Sequence, residues 1–237
     1  MAERHVVALG GGGFSDWAGA VTPLDRFILS LAPREEPRVC FVPTASGDAA
    51  LYVERFYAAF SQIPCRPSHL SLFGPPYPRL PDKLLEQDVI YVGGGSTANL
   101  LAVWRLHGVD AVLGRVWSEG VVLAGISAGS LCWFEGGVTD SFGALRPLPD
   151  GLGILPGTNC PHYDSEPDRR PTYQRAVGDG ALAAGIAADD GVALHFEGTD
   201  LVEVVSERPS AAAYRVEREV DGVRETRIEP TLLPVEP

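Results

Sequence analysis

The chain has 237 residues, 45% of them hydrophobic and 21% charged, enough apolar material for a large core, which excludes disorder as its general state. Nineteen Lys and Arg against 31 Asp and Glu leave a formal charge of −12, an unfavourable field for nucleic acid or a polyphosphate ligand. No apolar run approaches the roughly 20 residues of a membrane helix, and the first residues carry no basic segment followed by a long apolar stretch, so a cytoplasmic protein with no membrane partner is expected.

In chain order, His5–Leu9 reads as a buried strand that opens into Gly10-Gly11-Gly12-Gly13. A helix at 23–31, a second strand at 38–43 and a second helix at 48–61 follow. Residues 68–73 form a weak strand, 75–81 a proline-rich loop, and 88–92 a strong strand broken by Gly93-Gly94-Gly95. Thr97–His107 and Val109–Ser118 carry apolar residues on a helical period, and a buried strand at 121–124 runs directly into Gly125-Ile126-Ser127-Ala128-Gly129-Ser130. This alternation predicts an α/β fold with a mostly parallel sheet, helices on both faces, and ligands beyond the carboxyl ends of the strands. From about residue 200 the chain becomes β-rich, with strand-like runs at 201–206, 211–220 and 223–228 and an Asp221-Gly222 hairpin turn. With no repeat and no linker, residues 1–237 read as one domain ending in a β-meander. The four cysteines, Cys40, Cys65, Cys132 and Cys160, form no C-x-x-C pair and are expected as free, mostly buried thiols.

Gly125-Ile126-Ser127-Ala128-Gly129 fits G-x-S-x-G between a buried strand and a helix, the setting in which a sharp turn presents a serine hydroxyl above a sheet. Ser127 is the candidate nucleophile, and the Ala128 N–H a candidate oxyanion donor, with a second donor from Gly93-Gly94-Gly95. A serine needs a base. Of five histidines, His5 and His107 read as surface or capping residues, His69 has no evident neighbour, and His195 reads as a sheet histidine within an apolar run. His162, in the polar segment Asn159-Cys160-Pro161-His162-Tyr163-Asp164, is the candidate base. The orienting acid is left open among Asp189-Asp190, Glu135 and Asp140. The Gly10–Gly13 run lacks the Gly-Lys-Ser/Thr of a P-loop and the spacing of a dinucleotide fingerprint, so it reads as a tight turn rather than a nucleotide loop.

Val92-Gly93-Gly94-Gly95-Ser96-Thr97, Gly125-Ile126-Ser127-Ala128-Gly129, Asn159-Cys160-Pro161-His162-Tyr163 and Asp190-Gly191, in this order, resemble the successive motifs of peptidase E, the aspartyl dipeptidases related to cyanophycinases. The resemblance implies a three-layer α/β/α sandwich similar to class I glutamine amidotransferases, and a cofactor-free serine hydrolase of small peptides, monomeric or homodimeric. It matches Ser127 to the nucleophile, His162 to the base, and Asp190 to a position where peptidase E has glutamate. Gly95 and Ala128 match the oxyanion-hole residues. The order Ser, His, Asp differs from the Ser, Asp/Glu, His order of α/β-hydrolases. An N-terminal-aspartate preference would need a cation. The resemblance puts that cation in the loop after the histidine, where this chain has Arg169, Arg170, Thr172 and Tyr173, with Thr172 at the matched position. The stretch 163–175 is expected as a mobile loop over the substrate, with Asp164, Glu166 or Asp168 available to a free amino group. Hydrolysis of β-aspartyl peptides, as by a cyanophycinase, and a catalytically silent binding role are the alternatives.

Overall fold

The computed structural model describes residues 3–16, 19–74, 77 and 79–234. Of the proline-rich segment at 75–81, positions 75, 76 and 78 lie outside the described residues. The first half largely alternates as expected, with β1 (His5–Leu9), α1 (Pro23–Ser30), β2 (Arg38–Val42), α2 (Ala50–Phe60), β3 (Arg66–His69), α3 (Leu80–Leu85) and β4 (Val89–Val92), although α3 was not foreseen and takes residues 80 and 81 from the expected proline-rich loop. Next come α4 (Thr97–His107), α5 (Val109–Ser118), β5 (Val122–Ile126) and the short α6 (Ala128–Leu131). The second half contains β6 (Phe134–Thr139), β7 (Arg146–Leu148), β8 (Leu155–Cys160), α7 (Arg169–Gly178), β9 (Gly185–Ala188) and β10 (Val192–Glu197). It ends in β11 (Asp200–Ser206), β12 (Ala213–Glu219), β13 (Gly222–Ile228) and β14 (Thr231–Leu232).

Eight strands form one sheet in the order β14-β11-β10-β1-β5-β4-β2-β3. From β1 to β3 every pairing is parallel, whereas β10 joins β1 antiparallel. The near-continuous apolar runs of β1, β4 and β5 follow from burial on both faces. Val6, Ala8, Ile90, Val92 and Leu123 pack on the side of α4 and α5, while Val7, Leu9, Tyr91 and Ala124 pack on the side of α1 and α2. Thr22 caps α1 in a reciprocal capping box with Asp25, which explains the abrupt start of that helix at Pro23.

A six-stranded second sheet, β13-β12-β9-β8-β6-β7, was not foreseen. Phe134, Leu155, Ile186 and Ala213 join one face of it to the core that α4 and α5 share, and α7 covers the other face through Tyr173, Ala176 and Val177. The expected hairpin is present as β12–β13, with Glu219 opposite Gly222. It is not part of a single C-terminal meander, because β11 and β14 belong to the first sheet. The weak strand expected at 68–73 ends earlier, at His69: the Asp48 carboxylate draws in the Ser71 hydroxyl and the Leu72 and Phe73 N–H groups, at 2.5, 2.6 and 2.9 Å, and bends the chain away. All four cysteines are free, and only Cys65 is partly exposed.

Candidate active site

Ser127 sits between β5 and α6 with φ 56° and ψ −111°, a backbone conformation that L-residues rarely adopt and that costs of order 1–3 kcal/mol. The flanking glycines make the turn feasible. A Cβ on Gly125 would lie 2.1 Å from the Gly129 carbonyl oxygen, and one on Gly129 would lie 2.4 Å from that of Val92. The turn is closed by Ser130 and Leu131, whose N–H groups donate to the Ser127 carbonyl at 3.0 and 2.9 Å. The Ser127 side chain is left partly exposed above the sheet.

His162 also has positive φ, 56°, and follows β8 directly. Residues 155–160 form the strand β8, and His162 lies just beyond its carboxyl end. Asp190 lies just beyond β9. The His162 Nδ1–H donates to Asp190 Oδ1 at 2.6 Å, which turns Nε2 outward. Burial pushes the Asp190 carboxyl up, but hydrogen bonds from His162 and Ser165 and the charges of His162 and Arg208 more than offset this and hold it below the usual carboxylate range. An ionised acid in this position favours the protonated imidazole that general-base action generates.

The three loops hang from one tripeptide. The Leu9 carbonyl accepts from the Ser127 N–H at 3.2 Å, the Gly10 carbonyl from His162 at 3.1 Å, and the Gly11 carbonyl from Gly191 at 3.0 Å. The glycines are steric necessities here: a Cβ on Gly10 would meet the Asp189 carbonyl at 2.3 Å, and one on Gly11 would meet Asp190 Oδ1 at 2.1 Å. The glycine run after β1 is thus the frame on which the Ser, His and Asp segments are registered. Two further residues brace the acid. Asp164 Oδ1 accepts from the Asp190 N–H at 2.9 Å, and Arg208 donates to Asp164 Oδ2 at 3.0 Å and to the Asp190 carbonyl at 2.9 Å.

Gly94, beside Ser127, is held by the Tyr52 hydroxyl at 3.2 Å, and the flanking Gly93 and Ser96 N–H groups donate to Val42 and Ala45. Gly95 has φ 137°, and a Cβ there would lie 2.3 Å from the Ala45 carbonyl oxygen. It is exposed at the strand end, while Ala128 opens α6 immediately after the serine.

The remaining acid candidates are engaged elsewhere. Asp189 accepts from the Ala212 N–H at 2.9 Å, Glu135 from the Gly157 N–H at 2.9 Å, and Asp140 lies 3.8 Å from Arg169. Residues 169–175, expected within a mobile loop, belong to the helix α7, which packs on the second sheet. Arg169 is buried, donating to Glu166 at 2.7 Å and to the Val138 carbonyl at 3.1 Å. Arg170 pairs with Glu225 and stacks over Tyr163 and Tyr214. Tyr173 is fully buried against Thr158, and the Thr172 N–H donates to the Asp168 carbonyl within the first turn. The structure pairs Arg169 with Glu166 and Arg170 with Glu225 and buries Tyr173, and among the described residues no hydrogen bond joins any of the three to Ser127, His162 or Asp190. Of the other histidines, His69 bonds the Tyr57 hydroxyl at 2.9 Å and His107 is exposed. His5, expected at the surface, is buried and 3.1 Å from His195.

A cavity of about 510 Å³ adjoins Asp190, with Asp16, Thr22, Arg26, Glu207 and Arg208 in its wall. Burial, then the neighbouring Asp190 charge, raise the Asp16 carboxyl, against the opposing Gly12 N–H and His162. Burial likewise raises Glu207, and pushes the fully buried Asp25 up to about 7. Asp16, Arg208 and Gly11 were not singled out from the sequence, and only the glycine run gave a visible signal.

The chain is similar to known proteins over most of its length. The chain is 54% identical over 213 residues to the "Uncharacterized peptidase YgaJ" of Bacillus subtilis (strain 168), covering 90% of this chain and 92% of that one. Its fold is similar to that of a peptidase from an acI-B1 Actinobacterium, with TM-score 0.74, 18% identity, and 96% and 95% of the two chains covered. A protein from Listeria monocytogenes EGD-e, provisionally assigned to peptidase E, superposes with TM-score 0.62 at 19% identity, over 96% of this chain and all of that one. The profile of Peptidase family S51, which includes peptidase E and the cyanophycinases, matches residues 6–204, and the chain belongs to that family.

Proposed function

We propose that the protein is a serine-type peptidase that releases the N-terminal residue from dipeptides or short peptides. The observation that carries this reading is the 2.6 Å bond between His162 and Asp190 on loops registered, together with strained Ser127, by the carbonyls of Leu9, Gly10 and Gly11. Ser127 Oγ attacks the scissile carbonyl as its proton passes to His162 Nε2. Asp190 holds the imidazole in the required tautomer and balances its charge. The N–H groups of Gly95 and Ala128 receive the oxyanion. The imidazolium then protonates the leaving amine, and water, deprotonated by His162, releases the acyl group from Ser127. This sequence uses no cofactor.

The cavity beside Asp190 supports an exopeptidase. Asp16 and Glu207 in its wall suit a substrate ammonium group, since a buried cation needs an acidic partner. With Arg169 and Arg170 paired to Glu166 and Glu225, neither is available to select an N-terminal aspartate side chain. We therefore infer a preference for uncharged N-terminal residues, since Arg208 in the cavity wall is itself paired with Asp164. The test is amino acid release from dipeptides beginning with Asp, Glu, Ala, Leu or Arg, and from their N-acetylated forms, by the native protein and Ser127→Ala. Serine-dependent cleavage that acetylation abolishes is expected. Cleavage confined to Asp-X would overturn the preference, serine-dependent cleavage of β-aspartyl peptides alone would establish the cyanophycinase-like alternative, and no serine-dependent cleavage would refute the peptidase reading.

A further inference from the structure

At the opposite end of β1 from Ser127, about 13 Å of strand away, the described residues hold one cluster with the composition of a metal site: His5, His195 and Glu197. The strand register explains the juxtaposition. His5 is opposite Glu197 and His195 is opposite Val7, so all three side chains project from the same face of the β1–β10 pair. His5 Nδ1 and His195 Nε2 are 3.1 Å apart, and one donor atom from each of the three residues lies within 4.8 Å of the others. A tetrahedral ion with metal–nitrogen bonds of about 2.1 Å spaces its donors roughly 3.4 Å apart, so the two imidazoles already stand close to ligating separation.

The surroundings hold this pair in place and leave one of its four ring nitrogens without a partner among the described residues. The edge of the Phe27 ring packs on His195, with centroids 5.5 Å apart. The Glu3 carboxylate lies 3.7 Å from His5 Nε2, where an outer carboxylate favours the tautomer whose Nδ1 lone pair is free for a metal. His195 Nε2 shares a hydrogen bond with His5 Nδ1, while His195 Nδ1 is buried without a partner among the described residues, so hydrogen bonding within the protein satisfies only one nitrogen of this ring. Both histidines are under a tenth exposed, whereas Glu197 is open to solvent and gives an ion a way in.

We propose that His5 Nδ1, His195 Nε2 and the Glu197 carboxylate bind a zinc-class divalent ion, with water completing the coordination. Two imidazoles and a carboxylate select borderline ions over Ca²⁺ or Mg²⁺, which take oxygen ligands. The ion joins the far ends of two strands whose near ends carry Gly10-Gly11 and Asp190-Gly191. It is a staple for the frame of the Ser127 site and takes no part in the reaction there.

The test uses tag-free full-length protein stripped with a chelator, titrated with Co²⁺ by visible absorption and with Zn²⁺ by calorimetry. One equivalent should bind, with the intense d–d bands of a four-coordinate site, and saturating Zn²⁺ should raise Tm by several degrees. Glu197→Gln, at an exposed position, should weaken binding at least about tenfold, and His195→Asn should abolish the d–d bands. His162→Ala should leave both intact. Absence of saturable Co²⁺ uptake would overturn the proposal, as would uptake unaffected by Glu197→Gln or lost in His162→Ala. Because Glu197→Gln removes no buried group, it remains decisive even if His195→Asn fails to fold.

Discussion

Replacing Gly11 by Ala separates the catalytic arrangement from the fold that carries it. The new methyl carbon would lie 2.1 Å from Asp190 Oδ1 and 3.1 Å from His162 Nδ1. Relief to an ordinary contact of about 3.3 Å requires the carboxylate to retreat by roughly 1.2 Å, and a bond of 2.6 Å stretched by that amount is no longer a hydrogen bond. The obstructing atom is the end of a rotatable side chain, so the stability loss should stay within about 1–2 kcal/mol, at the low end for an overpacked site. Losing the group that orients a catalytic histidine costs up to about 10⁴-fold, so kcat should fall by roughly 10²–10⁴ with KM little changed. Gly114→Ala is the control: nothing lies within 4 Å of its added Cβ in the middle of α5, and it should gain up to about 1 kcal/mol with unchanged turnover. Dipeptide hydrolysis, with urea denaturation of each variant, reads both quantities. Wild-type kcat in a correctly folded Gly11→Ala protein would show that the Asp190–His162 bond does not matter to the chemistry.

Ser127→Ala should abolish turnover while circular dichroism and Tm stay near those of the parent; retained activity would remove the nucleophile assignment. Asp190→Asn should lower kcat by orders of magnitude and Asp140→Asn by less than about twofold, because Asp140 faces Arg169 rather than His162, and the reverse ranking would reassign the acid. Asp25 predicts a pH dependence of stability. Burial pushes its folded-state value up to about 7 from the ordinary 3.8, so between these values the unfolded chain has released a proton that the folded chain keeps. Its contribution therefore falls as pH rises from about 4 to 7 and is level above that, by about 4 kcal/mol in all. Asp25→Asn should remove this slope in denaturation series run across that range; a difference between the two proteins that does not change with pH would refute it.

Most strands and helices of the first half were legible because burial on both faces of the sheet leaves plain apolar runs and plain helical periods, as in β1, α4 and α5, whereas the short α3 was not. The second sheet was concealed by glycine. In β6, a Cβ on Gly136 would meet the Leu148 carbonyl oxygen at 2.4 Å and one on Gly137 that of Asn159 at 2.1 Å, so residues that signal a loop are required by close strand approach. α7 was concealed differently. Its buried positions Arg169, Tyr173, Ala176 and Val177 do follow a helical period, but the first is a charged residue neutralised by Glu166, and Pro171 lies between. At the candidate site, the proposed nucleophile Ser127 and base His162 were legible from their flanking residues. The bracing by Asp164 and Arg208 was not, because it depends on loops that only the assembled sheets bring together.

The dependence of all three loops on the carbonyls that follow β1 also sets when a working site can come into being during synthesis. β1 leaves the ribosome long before the two strands that flank it, β5 and β10, and its Leu9, Gly10 and Gly11 carbonyls have nothing to receive until those neighbours arrive. Asp190 and β10 come late in the chain. A nascent chain that ends before β10 therefore carries Ser127 without a registered partner, and the frame of the proposed site is completed only once the chain has been made past Gly191.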